Sequence, residues 1–238
     1  MLSPVWLHAI RANRDNSFCC GWRDCDWAPI WSIAYTALGM APDSLPEPVA
    51  VARHIADTLT RLGVSYVIGG SFASSVHGEP RSTNDIDMVA DLGQSNVDGF
   101  VDAIGAEWYV SREAVVHAVR EGGAFNVIHM PTAVKVDIFV AGIDVFDRER
   151  LQRRTPVSFS SDPGQVTLFV DTAEDTILRK LEWYRRGGET SERQWRDVVG
   201  IVDAQSSRLD RVYLRKWAAR LGVSDLTERL LKIQGPDD

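Results

Sequence analysis

Two aspartates stand one residue apart in the string NDIDMVA, and Gly69-Gly70-Ser71 runs before them, with thirteen residues between Ser71 and Asp85. Strand alternation puts Ile86, Met88 and Ala90 on one face and Asp85 and Asp87 on the other. A two-residue step separates the carboxylates by roughly 7 Å along the strand, so they need solvent, a neutralising partner or a divalent cation. The glycine pair removes side chains at a strand-to-helix turn, where backbone N–H groups and a helix N-terminus can approach an anion. Ser71 adds a hydroxyl at the same place. A third carboxylate, Asp137, lies in KVDIF in the same phase, with Lys135 on its face. All these ligands are hard oxygens, which points to Mg²⁺ or Mn²⁺. An anion nest beside a carboxylate set is what a nucleoside triphosphate requires. Singly the pieces have plainer readings: a glycine pair is often only a tight turn, and a D-x-D is often a solvated strand edge. Their combination at this spacing outweighs those readings.

These residues need elements to hold them. The stretch PEPVAVARHIADTLTRLG places Val49, Ile55, Leu59 and Leu62 at helical spacing, with Gly63 as a stop. VSYVIGG reads as a strand, and SFASSVHG as a short helix capped by Ser71 and ended by Gly78. The strand TNDIDMVADL follows, then a helix near 95–104, strands in EWYVS, AFNVIHM and AVKVDIFVA, a helix carrying RERLQRR, and strands in PVSFS and QVTLFV. From Asp171 onward the period is helical, enough for four helices. The fold class is therefore α+β: a mixed β-sheet flanked by helices, followed by an all-helical C-terminal region. Residues 47–170 form the α/β domain and 171–238 the helical one. Residues 1–46 form an irregular leader outside the core pattern, with Trp6, Trp22, Trp27 and Trp31, Cys19, Cys20 and Cys25, and a proline-rich end.

Composition narrows the function classes. The formal net charge is −7, from 26 basic and 33 acidic residues, which argues against a protein held to nucleic acid by bulk charge. Two basic clusters, RERLQRR and RKLEWYRR, read as solvated helix faces. Asp171, Glu174 and Asp175 read as the acidic first turn of a helix. Three clustered cysteines, with His8 the one histidine near them, make neither a disulfide framework nor a zinc site. The apolar runs are too short to cross a bilayer, and the beginning of the chain lacks the pattern of a signal peptide. The expectation is a cytoplasmic protein in a reducing compartment, with no membrane partner.

The spacing of GGS, D-x-D and the later h-D-h strand resembles the nucleotidyltransferase superfamily of polymerase-β type. The string GGSFASSVHGEPRSTNDIDMV is similar to the AbiEii/MenT-like nucleotidyltransferases of toxin–antitoxin systems. The pattern extends from Val64 to Val202. The resemblance implies that Gly69, Gly70 and Ser71 hold a triphosphate and that Asp85, Asp87 and Asp137 bind Mg²⁺ or Mn²⁺. It also implies that a lysine and a late aspartate on the helical region, here Lys180 and Asp197, complete the catalytic set. The expected reaction moves a nucleoside monophosphate from an NTP donor to an acceptor hydroxyl. The acceptor would be tRNA, protein or a small molecule such as an antibiotic or metabolite, and a cognate antitoxin is an implied partner. A non-catalytic nucleotide-binding module is the other class, but keeping three mutually repelling carboxylates favours an enzyme.

Further residues fall around this core. Arg81, between the motif halves, pairs either with Asp85 or with a phosphate, and is assigned to the phosphate. His77 is read as packing or capping its short helix. Trp183, Tyr184 and Trp195 are read as helical core, an exposed one being able to stack on a base.

Overall fold

The computed structural model describes residues 47–142, 144–161 and 164–234. The 1–46 leader lies outside them. The helices are α1 (Glu47–Arg61), α2 (Gly70–His77), α3 (Val97–Ala103), α4 (Arg112–Glu121), α5 (Val145–Arg153), α6 (Ala173–Arg186), α7 (Glu192–Gln205), α8 (Arg211–Leu221) and α9 (Ser224–Leu231). The strands are β1 (Tyr66–Ile68), β2 (Asp85–Ala90), β3 (Trp108–Val110), β4 (Ala124–His129), β5 (Val134–Val140), β6 (Thr155–Ser161) and β7 (Gly164–Val170). Among the described residues no helix is long and apolar enough to cross a membrane.

The strands form a seven-stranded mixed sheet in the order β3-β4-β5-β2-β1-β7-β6. β2 runs parallel to β5 and β1 parallel to β7, while the remaining pairs are antiparallel. The α+β reading with four helices after Asp171 therefore holds. The sequence reading left 112–123 unassigned, and the structure has α4 there. Its signals are local: Ser111 Oγ accepts the N–H of Ala114 at 3.2 Å, and Gly122 closes the helix at φ 66°.

The sheet has two unlike faces. Ile68, Ile86, Met88, Val136 and Ile138 point into the main core, against Val49, Ile55 and Leu59 of α1 and Phe100 of α3. The opposite face carries a small cluster of Val67, Val89, Ala141 and Leu151, the last from α5. Alternation sends Asp85 and Asp87 of β2, and Lys135 and Asp137 of β5, to that second face. A separate apolar cluster holds α6 to α9 together, with Ile177, Leu181, Ile201, Leu214 and Trp217 at its centre. Gly78, just after α2, lets that helix meet α7: a Cβ there would lie 2.9 Å from the backbone nitrogen of Ile201.

Part of each basic cluster turns inward, which corrects the reading as solvated faces for Arg150, Arg153, Arg179 and Lys180, while Arg148 and Arg186 stay exposed. Arg150 is 4% exposed and bonds both oxygens of Asp171, at 3.1 and 2.6 Å, as well as Asp147 at 2.8 Å. Arg153 pairs with Glu174 and Asp175 and lies 3.7 Å over the Tyr213 ring. Arg179 pairs with Asp147 and Glu182. The acidic first turn of α6 is likewise buried rather than solvated, and its cap is Thr172, whose Oγ1 accepts the N–H of Asp175 at 3.1 Å. Charges on helices that pack together find each other instead of water, because a lone buried charge is far costlier than a bonded pair.

Candidate active site

β1 ends at Ile68, and the chain turns at Gly69 into α2. The cap of α2 is Gly69, not Ser71, and it makes no side-chain cap bond. The Gly69 N–H donates to the carbonyl of Asp87 at 2.8 Å, so it is engaged in the sheet and not aimed at an anion. Donors for an anion at this turn are the following N–H groups of the first turn of α2, which no helix satisfies internally.

Each glycine has its own steric reason. Gly70 has φ +57°, and a Cβ on it would lie 1.8 Å from Oδ2 of Asp87 and 2.6 Å from its Cγ. The Asp87 carboxylate thus occupies the space that a side chain at position 70 would fill. A Cβ on Gly69 would meet Nη2 of Arg150 and Oδ2 of Asp171, each at 2.7 Å. The turn lies directly on the buried ion pair.

Gly70→Ala is therefore expected to be damaging twice over. The left-handed backbone alone costs about 1–2 kcal/mol, and Asp87 must also be displaced. A lowered melting temperature with weakened nucleotide binding is the expected pair of results. An unchanged melting temperature would show that the turn relaxes freely.

Asp87 is half-buried at the centre of the carboxylate group. The β2–β5 register sets Asp85 beside Lys135 and Asp87 beside Asp137. Burial, then the charge of Asp137, push the Asp87 carboxyl above its ordinary value, against the pull of Lys180. Asp85 is well exposed, its side chain 68% accessible. Lys135 Nζ lies 2.7 Å from Oδ2 of Asp137 and 3.9 Å from Oδ1 of Asp85. Among the described residues no three His, Cys, Asp or Glu side chains are gathered into a metal cage.

The donor chemistry of Asp85, Asp87 and Asp137 is nonetheless of the kind a divalent cation uses. They offer only hard oxygens, and an ammonium ion already stands between two of the three carboxylates.

Across from this group lies a cationic cluster that links α2 to α6 and α7. Asp197 accepts from Lys180 Nζ at 2.7 Å and from Arg81 at 3.1 and 2.9 Å. The same Arg81 guanidinium donates to the hydroxyl of Ser71. Arg81 thus engages Asp197 and Ser71 in place of the Asp85 partner considered from the sequence. Burial lowers the Lys180 amine, and the bond to Asp197 opposes it. Burial raises the Asp197 carboxyl, but Arg81 and Lys180 outweigh it and hold the group below its ordinary value. His77 packs behind: Nε2 donates to the carbonyl of Asp171 at 2.5 Å, and burial lowers the ring's pKa.

A cavity of about 410 Å³ connects the pieces, lined by Gly70, Ser71, Arg81, Asp87, Lys180 and Asp197 among others. Gly69, Asp85 and Asp137 are not part of that lining among the described residues; Asp137 reaches the site as the in-register neighbour of Asp87. The sequence reading missed Arg150 and Arg179, which also line the cavity. Their positions in two basic clusters were visible, but nothing local distinguished an inward arginine from a solvated one. Of the aromatic residues, Tyr184 is buried against Trp195, with ring centroids 5.6 Å apart. Trp183 is 44% exposed and opens onto the cavity, which departs from its reading as core.

No family model matches the sequence, and no curated protein matches it significantly. Several solved structures align with the chain at low similarity. An antigenic nucleotidyltransferase-like protein from Paracoccidioides brasiliensis is 19% identical, covering 76% of this chain and 90% of its own, with a TM-score of 0.40. The antibiotic-resistance factor ANT(2'')-Ia is 10% identical over 76% of this chain and 97% of its own, with a TM-score of 0.41. A CCA-adding enzyme solved with ATP is 13% identical over 76% of this chain and 52% of its own, with a TM-score of 0.34.

Proposed function

We propose that this protein is a nucleotidyltransferase that moves a nucleoside monophosphate from an NTP to an acceptor hydroxyl. One observation carries the reading: Asp87, with Asp137 beside it, faces the Gly70–Ser71 turn in a single cavity that also holds Arg81 and Lys180. Carboxylates for a cation and cations for a phosphate chain thereby meet at one place.

In the reaction the acceptor oxygen attacks the α-phosphorus, the bond to the bridging oxygen breaks, and pyrophosphate leaves. Asp85, Asp87 and Asp137 would hold Mg²⁺ or Mn²⁺, which when bound supplies neutralisation of the triphosphate and of the developing charge. Ser71, Arg81 and Lys180 bind the phosphates and stabilise the departing pyrophosphate. Asp137, relieved of Lys135, accepts the acceptor's proton. Asp197 keeps Lys180 and Arg81 in place, as a positioning residue. Trp183, exposed at the cavity, is available to stack on a base.

The lining is close to charge balance, with five basic residues (Arg81, Arg150, Arg179, Lys180 and Arg193) against four acidic ones (Asp87, Asp147, Asp171 and Asp197), and Arg81, Arg150, Arg179 and Lys180 are paired with acids of that same lining. We place tRNA ahead of a small-molecule acceptor on the motif resemblance alone. A toxin role and a cognate antitoxin rest on the motif resemblance to AbiEii/MenT-like proteins. A cytoplasmic site of action follows from the NTP and tRNA substrates.

The test is incubation with each labelled NTP, Mg²⁺ and total tRNA, beside a panel of small hydroxyl acceptors. Label on tRNA is expected, and Ser71→Ala should weaken transfer by roughly ten- to a hundredfold, the worth of one bond to a charged group. Nucleotide binding with no labelled product from any acceptor would make the protein a binding module.

A further inference from the structure

We infer that Lys135 is a built-in counter-ion that keeps divalent cations out of the carboxylate group until a nucleotide arrives, so that metal loading depends on nucleotide. The inference rests on the reading of Asp85, Asp87 and Asp137 as a metal site. Register is its first support: β5 runs parallel to β2, with Lys135 beside Asp85 and Asp137 beside Asp87. All four side chains share the face of the sheet away from the main core. The second support is position. The ammonium sits 2.7 Å from one carboxylate and 3.9 Å from another, on ground that a shared cation would use.

Charge decides the consequence. Three carboxylates alone offer three negative charges to an incoming ion; with Lys135 in place they offer two, and the ion also meets a like charge at contact range. The short contact to Asp137 holds the ammonium in place. Yet its side chain is 38% exposed, and an ion pair so open to water holds weakly. It is strong enough to discourage a lone hydrated ion and weak enough to yield to a metal–triphosphate complex. The triphosphate adds oxygen ligands for the metal and negative charge for the displaced ammonium.

A lysine that only relieved repulsion for the sake of folding would affect stability and leave metal selectivity alone. Titrating the full-length protein with Mn²⁺ separates the two, with free Mn²⁺ read by electron paramagnetic resonance, with and without a non-hydrolysable α,β-methylene NTP analogue. Wild type is expected to take up Mn²⁺ well only with the analogue. Lys135→Met and Lys135→Gln should each bind Mn²⁺ without nucleotide roughly ten- to a hundredfold more tightly than wild type. With the analogue the difference should largely vanish. Lys135→Arg should behave as wild type. The metal-free Lys135 variants should also melt lower than wild type and recover with Mn²⁺ alone. If Lys135→Met and Lys135→Gln bind Mn²⁺ like wild type, while wild type still takes it up with the analogue, the counter-ion role is wrong and the metal site stands. If no form binds Mn²⁺ under either condition, the metal reading falls and takes this inference with it.

Discussion

Asp87→Ala is expected to reduce nucleotidyl transfer to background while the protein stays folded and melts at or above the wild-type temperature. The two effects share a cause. Asp87 is half-buried, with Asp137 beside it, and Gly70 leaves just enough room for its carboxylate. Phosphoryl transfer depends mainly on positioning and charge neutralisation, so loss of the central cation ligand should cost far more than loss of one hydroxyl such as Ser71. Folding, by contrast, is relieved of a poorly neutralised charge.

The pH dependence gives an independent readout. Burial and the charge of Asp137 raise the Asp87 carboxyl in the folded state. A raised acid binds its proton more tightly when folded, so stability falls as pH climbs from the unfolded carboxylate value to the folded one. Asp87→Asn lacks that slope. Its melting temperature relative to wild type should rise across this interval and level off above it. A variant that melts well below wild type at neutral pH would mean that Asp87 is a structural partner and not a strained ligand.

Asp197→Ala should do the opposite, although Asp197 lines the same cavity. Asp197 and Lys180 have side chains only 8% and 9% exposed, and Arg81 24%, so removing the carboxylate strands two cations away from water. Breaking a buried pair from one side typically costs 3–5 kcal/mol; at the lower end, about 3 kcal/mol lowers the melting temperature by roughly 6–12 °C. Because Arg81 and Lys180 hold the Asp197 carboxyl below its ordinary value, its contribution is present above the unfolded carboxylate value. That contribution is lost as pH falls through the folded value, so the gap between variant and wild type should narrow in acid. Thermal melts at neutral and acid pH check both statements. A melting temperature within a degree or two of wild type would show that the cluster does not tie α2 to α6 and α7.

Much of this arrangement was legible before any coordinates. Ile86, Met88 and Asp87 declare their faces through a period of two, because successive side chains on a strand must point to opposite sides. The four helices after Asp171 follow in the same way from helical spacing. Helix α4 was legible too, through Ser111 and Gly122, but went unread.

The glycine pair was read correctly as a turn. The structure gives the Gly69 N–H to the Asp87 carbonyl and not to an anion, and the Gly70 space to the Asp87 carboxylate. Arg150 and Asp171 were less accessible still. Each looked like an exposed charge on its own helix, and 21 positions separate them.

The sequence by itself determined which face each side chain takes, because dihedral geometry is local and acts over a few residues. Only the tertiary structure decided what each charge meets there. Arg150 found Asp171 and Lys180 found Asp197 through the packing of elements distant in the chain, and Lys135 met Asp85 through the pairing of β5 with β2. The physical reason is desolvation. Once those elements pack, a charge that the sequence leaves free to sit in water must find a partner of opposite sign or bear the cost of burial, and no local pattern records which partner that is.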